Sequence, residues 1–404
     1  GVYGVSFIVA WSSVCILCAA ATLIVRTSNP GRTAGGDSTK AVGTTSCGIS
    51  GSGHGPGIVV AGMVGDIIFP LLAVLSMTYW GACKVSSQPA PVRELGVALV
   101  QPSIPQRVVF DPRESTNRFQ AILKLTELAL ATRPDLLVWP EASLPSFEPS
   151  HLQVLTNLIA QHRVWMVFGA DDAVPRPGTD PEESTFDYFN SAFLFDPNGC
   201  FAAAYRKRHL VAFGEYIPLE RVLPFMKYLT PVKTSFTPGP GPVRFKLDNP
   251  RAVISALICF EDVLPHLVRE HVDPDTDFLL NLTNDAWFGE SAAQWQHAVN
   301  AAFRAVENGL PLVRCTNNGL TCWIDACGRL RNVGFASQSD VYAPGFKTVR
   351  VPLLSNGERR ALTFYTKHGD VFGWVCVLLA IGASSRVILS NGWKNSARGS
   401  CSVS

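Results

Sequence analysis

The sequence predicts an α/β protein flanked by membrane helices, and three observations support this prediction. Between residues 95 and 351, short apolar runs alternate with longer amphipathic stretches, the pattern of helices packed on sheets. Apolar stretches before and after this region are long enough for the roughly 20 residues that a membrane-spanning helix needs. Hydrophobic residues make up 47% of the 404 residues and charged residues only 16%, below the roughly 25% typical of soluble domains.

Residues 1–90 are predicted to be the remnant of a membrane domain. Residues 1–25 carry no charge, and residues 58–82 contain only Asp66, with Pro70 expected to kink the helix. We predict that both segments span the membrane, joined by a flexible loop rich in Gly, Ser and Thr. Because Gly1 lies inside an apolar run and is not an initiator Met, we expect the chain to be N-terminally incomplete.

A third apolar segment, residues 371–390, is predicted to be a C-terminal transmembrane helix, followed by a cytoplasmic tail at residues 391–404. Arg386 interrupts this segment and could reach back to the interface, and a buried helix is the alternative. Basic residues outnumber acidic ones in the loop at 26–56 and in the tail, which by the positive-inside rule places both in the cytoplasm. The region between them then lies on the extracytoplasmic side. Basic residues also flank the membrane segments on that side: Lys84, Arg93, Arg359 and Arg360.

Residues 91–355 are predicted to form the catalytic domain. The apolar runs predict strands at 95–100, 136–139, 164–168, 191–195, 252–259, 278–282, 312–315 and 321–324. The amphipathic stretches predict helices at 116–132, 150–162, 265–270 and 291–307. The net charge of +2 offers no basic stripe for nucleic acid.

Three predicted strands end at chemically reactive side chains. Cys259 ends an apolar run, Glu141 follows an apolar run that stops at Pro140, and Lys207 follows a strand and a turn. Acyl transfer through a thioester needs these three groups: a carboxylate to take the thiol proton, a thiolate to attack, and a cation to stabilise the oxyanion. Each residue also has a simpler interpretation when it is considered alone. Cys259 could be a small buried apolar residue, and Glu141 could be a carboxylate at a helix N-terminus.

Longer motifs around these residues resemble the carbon-nitrogen hydrolase (nitrilase) superfamily, and within it the membrane-bound apolipoprotein N-acyltransferases. The similarity extends over roughly residues 95–350. It lies in the segments Gln101–Gln106, Asp111–Pro112, Trp139–Pro145, His209–Leu219, Asn281–Gly289, Gln296–His297 and Arg304–Asn308. One position departs from the family pattern, because Phe110 replaces the usual Trp before Asp111–Pro112 and lacks the indole N–H.

The resemblance implies an αββα sandwich with Glu141, Lys207 and Cys259 as catalytic triad. Lys207 would stabilise the oxyanion and lower the pKa of the Cys259 thiol. Four further residues match supporting active-site positions of the family: Asn190, Glu215, Phe260 and Glu261. Glu215 would orient Lys207 or relay protons. The triad requires no cofactor or metal ion, and it leaves His209, His266 and His297 with structural roles.

The resemblance also implies the reaction and its setting. A membrane phospholipid would acylate Cys259, and the thioester would pass its acyl chain to the N-terminal S-diacylglyceryl cysteine of a lipoprotein precursor. Such an enzyme would be a monomer in the bacterial inner membrane, multi-pass, with its catalytic domain in the periplasm. The alternative is a membrane-anchored amidase acting on a soluble substrate. Loss of a triad member would indicate an inactive scaffold, and all three are present.

Two other features complete the predictions. The apolar, Pro-rich segment at residues 217–229 is predicted to be a lid that dips into the outer leaflet, with a surface excursion packed on the sandwich as the alternative. Four cysteines outside the predicted spans are possible disulfide partners whose spacing does not pair them: Cys200, Cys315, Cys322 and Cys327.

Overall fold

The structure is a computed structural model. It describes residues 8–16, 56–87, 91–109, 111–144, 148–176, 186–219, 222, 225, 235–335, 340–382 and 384–385. The chain divides into two compact units, one formed by Gly1–Pro89 with Asp370–Ser404 and the other by Ala90–Gly369. The second unit contains all seven predicted site residues and continues past residue 355, the predicted end of the catalytic domain.

The first unit contains apolar helices. Helix α1 covers residues 8–16, α2 is Pro56–Ser86 with Pro70 inside it, and α9 is Val371–Gly382. Within α2, the segment Ile67–Ser86 has a mean hydropathy of 1.4 and is long and apolar enough to cross a membrane. The described helices at 8–16 and 371–382 cover only part of the predicted spans at 1–25 and 371–390. The loop and tail that set the predicted orientation lie outside the described residues.

One sheet of the second unit has the strand order β12-β1-β2-β3-β4-β5. Strands β1, β2 and β3 are parallel, and the other neighbours are antiparallel. The strands are β1 Arg93–Gln101, β2 Leu136–Val138, β3 Trp165–Pro175, β4 Phe186–Phe195, β5 Phe201–Arg206 and β12 Gly345–Leu353. Helices α3 Gln106–Val109, α4 Ser115–Leu130 and α5 Pro149–His162 lie between these strands in sequence.

The other sheet has the strand order β11-β10-β9-β8-β7-β6, with β7, β8 and β9 parallel. Its strands are β6 Arg244–Asp248, β7 Arg251–Ile258, β8 Phe278–Thr283, β9 Leu312–Thr316, β10 Cys322–Ile324 and β11 Leu330–Arg331. Its helices are α6 Pro265–Glu270 and α7 Ala292–Asn308, followed after β12 by α8 Phe364–His368.

The two sheets pack face to face between two layers of helices. Inner-face residues of both sheets, such as Leu136 and Leu280, share one buried core. Helices α4 and α5 cover the outer face of the first sheet, and α6 and α7 cover that of the second. Because the central strands are buried on both faces, their sequences are continuously apolar. The predicted αββα sandwich is confirmed.

Helix α8 lies beyond the predicted domain end and is tied to α7. Thr366 Oγ1 donates to Asn308 Oδ1 at 3.0 Å, and Thr363 Oγ1 donates to the Glu307 carbonyl at 2.5 Å. Arg360 also donates to the Gly309 carbonyl at 2.8 Å. These bonds explain why the compact unit reaches Gly369.

Candidate active site

The three predicted catalytic residues follow strands that run in the same direction. Strand β2 is parallel to β3, and β5 also runs with β3 because both are antiparallel to β4. Glu141 follows β2 and Lys207 follows β5, so both lie at the carboxyl edge of the first sheet. Cys259 follows β7 in the second sheet. The buried core between the sheets includes Cys259.

Lys207 binds two carboxylates. Its Nζ lies 3.3 Å from Glu141 Oε1 and 2.7 Å from Glu215 Oε1. Asn190 Nδ2 donates to the same two oxygens, at 2.8 Å and 2.9 Å. Glu215 is itself held by the Val211 N–H, which donates to its other oxygen at 2.8 Å. Two acids, one ammonium and one amide therefore form a closed hydrogen-bonded group.

Glu141 keeps one carboxylate oxygen free within this group. The Glu141 side chain is 7% exposed, and Oε2 is buried with no hydrogen-bond partner among the described residues. A buried acceptor without a donor is costly, and a catalytic role is one explanation for such an atom. Glu141 therefore has the geometry of a base, with Oε1 anchored and Oε2 available for a proton.

Neighbouring carboxylates keep Lys207 protonated despite its burial. Burial lowers the pKa of Lys207, but the negative charges of Glu141 and Glu215 outweigh it and raise the pKa well above its ordinary value. The ammonium is 1% exposed, so its field acts in a medium of low dielectric. A fixed buried cation suits the stabilisation of an oxyanion.

The Cys259 thiol is protonated in the resting site. Burial and the charge of Glu141 raise its pKa well above the ordinary value, whereas Lys207 and a hydrogen bond with Thr283 lower it. Lys207 does lower the pKa of the Cys259 thiol, as predicted, but burial and the charge of Glu141 outweigh it. Attack by the Cys259 thiol would therefore require a base.

The backbone at Cys259 is strained. Its φ is 53°, in the left-handed region that a non-glycine residue adopts at some cost. Such outliers persist where the surroundings impose them and often mark functional sites. Asn281 Nδ2 donates to the Cys259 carbonyl at 3.2 Å, which holds the turn from one side.

Glu261 joins the Cys259 turn to the Lys207 strand. Its carboxylate, 0% exposed, accepts the Ile258 N–H at 2.8 Å, the Arg208 N–H at 2.7 Å and the His209 N–H at 3.1 Å. Tyr205 donates its hydroxyl to the same carboxylate, at 2.8 Å to Oε2. Ile258 precedes the nucleophile and Arg208 follows the lysine, so a single side chain fixes the spacing of the two sheets at the site.

Aromatic side chains line the turn beyond the nucleophile. Phe260 packs edge-on against Phe288, with ring centroids 5.8 Å apart. Trp287 beside it is 53% exposed, and Phe213 is 46% exposed. The segments that follow β5 and β8 therefore each present an exposed aromatic side chain.

The structure places the seven predicted site residues in two linked groups: Glu141, Asn190, Lys207 and Glu215 around the ammonium, and Cys259, Phe260 and Glu261 in the following turn. Phe110 lies outside the described residues, as does most of the predicted lid. His209 and His266 are exposed, whereas His297 is buried. Cys200, Cys315 and Cys322 are thiols without a disulfide.

The sequence analysis missed Asp171. It pairs across the sheet with Asn190, and burial together with the charges of Glu141 and Glu215 raises its pKa to about 7. The signal was an acidic pair, Asp171 and Asp172, continuing an apolar strand. Among the described residues no group of His, Cys, Asp and Glu is arranged to hold a metal ion.

The fold and site define a class of protein, and comparison with known families agrees. Residues 96–352 match the carbon-nitrogen hydrolase family, so the chain belongs to this family. Among solved structures, an amidase from Nesterenkonia is 20% identical, covering 66% of this chain and 94% of that one with a TM-score of 0.45.

More similar relatives carry a narrower name. A protein of Geobacter metallireducens named apolipoprotein N-acyltransferase is 36% identical over 311 residues, covering 76% of this chain and 56% of the relative. One of the same name from Rickettsia prowazekii is 34% identical over 262 residues, covering 64% and 51%. The chain therefore spans about half the length of the curated relatives that it matches.

Proposed function

We propose that this chain carries the catalytic domain of an apolipoprotein N-acyltransferase. The observation that supports this most is the buried group of Glu141, Lys207 and Cys259, whose side chains act on one another electrostatically. A triad of this kind serves acyl transfer in general. Exposed apolar side chains on the segments after β5 and β8, Phe213 and Trp287, together with the relatives' name, support substrates that are linked to lipid.

In the first half-reaction, Cys259 attacks the ester carbonyl of a membrane phospholipid while Glu141 Oε2 takes the thiol proton. Lys207 stabilises the negative oxygen of the tetrahedral intermediate. The carbon–oxygen ester bond then breaks, and the leaving alkoxide takes the proton from Glu141 to give a lysophospholipid. The acyl chain remains on Cys259 as a thioester.

In the second half-reaction, the free α-amine of an S-diacylglyceryl cysteine attacks the thioester. Glu141 accepts a proton from the amine, the carbon–sulfur bond breaks, and the thiolate is protonated again. The product is an amide, and the enzyme returns to its resting state. The two half-reactions share one site, which makes the kinetics ping-pong.

We further propose that the chain is anchored in the bacterial inner membrane, with the catalytic domain on the periplasmic side and the enzyme monomeric. Helix α2, with its apolar segment Ile67–Ser86, supports anchoring. This proposal includes further membrane spans at residues 1–25 and 371–390. It also places the loop between the first two spans and the tail at 391–404 in the cytoplasm. Both proposed substrates are lipid-anchored, which gives a reason for tethering the site to a bilayer.

The segment at residues 217–229 is proposed as a lid over the site. Its described residues Leu219, Val222 and Phe225 are 64%, 72% and 55% exposed. Large apolar side chains at this exposure suit contact with lipid. Replacing Leu223, Phe225 and Met226 together with Ser should slow acylation by vesicles far more than reaction with a small soluble thiol reagent. Equal effects on both would contradict the lid.

The decisive experiment is intact mass spectrometry of the full chain in detergent after incubation with phosphatidylethanolamine vesicles. We expect an acyl adduct on wild type and on Cys200→Ala, a control at an exposed thiol, and none on Cys259→Ala. Adding a synthetic S-diacylglyceryl cysteine peptide should discharge the adduct and yield an N-acyl peptide. Hydrolysis of a soluble amide, with no adduct from vesicles, would establish the amidase alternative instead.

The roles of the other two triad members are tested separately. Glu141→Gln and Lys207→Met should each slow adduct formation on the order of a hundredfold or more, since one lacks the base and the other the oxyanion cation. Lys246→Met, at an exposed lysine on β6, is the matched control and should form the adduct normally. A normal rate in either triad variant would refute the role assigned to it.

A further inference from the structure

Behind the Cys259 turn lies a closed ring of four buried charged side chains, which we name the buried ring: Asp262, Asp285, His297 and Arg314. His297 Nε2 is 2.8 Å from Asp262 Oδ1, and His297 Nδ1 is 2.7 Å from Asp285 Oδ1. Arg314 pairs with the second oxygen of each acid, with Asp285 at 3.2 Å. All four residues are 3% exposed or less.

The hydrogen bonds of the buried ring require a protonated His297. Both ring nitrogens face carboxylates, and an imidazole donates from both only in its charged form. With His297 protonated, the ring holds two positive and two negative charges. Burial lowers the pKa of His297, but Asp262 outweighs it, and despite opposition from Arg314 the pKa rises to about 9.

The buried ring contacts the nucleophile turn at two points. Asn281 Nδ2 donates both to Asp262 Oδ2 and to the Cys259 carbonyl. The imidazole of His297 also stacks on Phe260, with centroids 4.8 Å apart and planes at 16°. The ring therefore supports both the strained backbone of Cys259 and the aromatic residue that follows it.

We propose that His297 is a positioning residue for Cys259, acting through Asp262 and Asn281 on the Cys259 carbonyl and through its stack on Phe260. Its positive charge balances the two acids and keeps Asp262 in place, and Asp262 in turn orients the Asn281 amide. The left-handed turn then holds the sulfur toward Glu141 and Lys207. This inference rests on the proposed function only where the acyl donor is a lipid. The positioning of the Cys259 thiol does not depend on which substrate the thiol attacks.

The test measures Cys259 reactivity with and without lipid, in the full chain in detergent. Alkylation of Cys259 by iodoacetamide is followed by peptide mass spectrometry, and adduct formation from phosphatidylethanolamine vesicles in parallel. His297→Gln should slow both on the order of a hundredfold, the loss expected when a reacting group is misplaced by about 1 Å. Asn308→Ala, roughly 16 Å along α7 from His297 and equally buried, is the control for lost stability and should leave both rates unchanged.

A double variant separates positioning from general damage. His297→Gln leaves two acids against Arg314 alone, whereas His297→Gln with Asp285→Asn restores charge balance. We expect the double variant to alkylate at least tenfold faster than His297→Gln alone. A double variant as slow as the single one, or a single one as fast as wild type, would overturn the inference.

Asn281→Leu covers the case in which His297→Gln does not fold. It removes the link to the Cys259 carbonyl with a side chain of similar shape, and the Asn281 oxygen that it also removes has no hydrogen-bond partner among the described residues. Alkylation of Cys259 should slow about tenfold; a wild-type rate would refute the route through Asn281. If wild type alkylates normally but forms no acyl adduct, the proposed function fails and the inference stands.

Discussion

Replacing Glu261 by Gln should cost both stability and activity, because every partner of this carboxylate is a donor. Burial raises the pKa of Glu261, while the backbone donors at Ile258, His209 and Arg208 and the charge of Lys207 lower it. The Gln side chain has one oxygen that accepts hydrogen bonds, and its NH₂ group can only donate them. Its NH₂ would face either the Ile258 N–H with the Tyr205 hydroxyl, or the N–H groups of Arg208 and His209.

The first orientation is less costly, because the Tyr205 hydroxyl can turn to accept. The Ile258 N–H is then buried and unpaired, at about 1–3 kcal/mol, and the two retained backbone bonds lose charge assistance, at about 1 kcal/mol each. The sum is about 3–5 kcal/mol. For a domain of this size that corresponds to a fall in melting temperature of roughly 5–9 °C.

Melting of the full chain in detergent, followed by tryptophan fluorescence, measures the stability, and adduct formation from vesicles measures the activity. We expect Glu261→Gln to slow adduct formation at least tenfold even at a temperature where it is folded, since the spacing between Lys207 and Cys259 is no longer fixed. Tyr205→Phe removes one donor, leaves three, and should cost about 1 kcal/mol. A Gln variant that melts and reacts like wild type would refute the bridging role of Glu261.

Three further predictions concern backbone contact and pH. Gly239 donates its N–H to the Lys207 carbonyl at 2.8 Å, and a Cβ at Gly239 would collide with the Arg206 carbonyl. Gly239→Ala should therefore slow adduct formation at least tenfold. Gly241 has open space around it, so Gly241→Ala should leave the rate unchanged. The pKa of His297 is about 9 in the folded state against an ordinary 6.5, so its protonation stabilises the fold by about 3 kcal/mol. This stability is complete below pH 6.5 and is lost as the pH rises through 9. The free energy of unfolding measured across this range should show the loss in wild type and not in His297→Gln. Because the pKa of Asp171 is raised to about 7, its ionisation penalises the folded state at higher pH, and Asp171→Asn should raise the melting temperature at pH 8 and leave it unchanged at pH 4.

The sequence predicted the strands that are buried on both faces and missed those at the edges. Strands β2, β7 and β8 appear as continuous apolar runs because neighbours cover both faces. Strand β6 alternates buried and exposed residues over five positions, too short for a clear period. Strand β12 returns from the far end of the chain to pair with β1, a long-range contact that local pattern does not encode.

The same distinction holds at the site. Glu141, Lys207 and Cys259 were predicted from strand ends and family motifs, although β5, the strand that Lys207 follows, was not itself predicted. The buried ring was not, because its members come from the β7 turn, the β8 turn, α7 and β9, and only the fold shows that their charges balance. His297 was assigned a structural role because the triad leaves it no required task, and its partners in the structure lie 35 and 12 residues away.

The proposed triad comes from two sheets, so its assembly depends on closure of the sandwich. Glu141 and Lys207 follow strands of the first sheet, and Cys259 follows a strand of the second, so no single sheet can assemble the site. Two buried acids on adjacent residues serve this junction in different ways. Glu261 draws the backbone of the first sheet toward the turn, while Asp262 anchors the turn to the second sheet and α7. Glu261 and Asp262, the second and third residues after Cys259, therefore fix its turn from opposite sides, which explains how the strained φ at Cys259 persists.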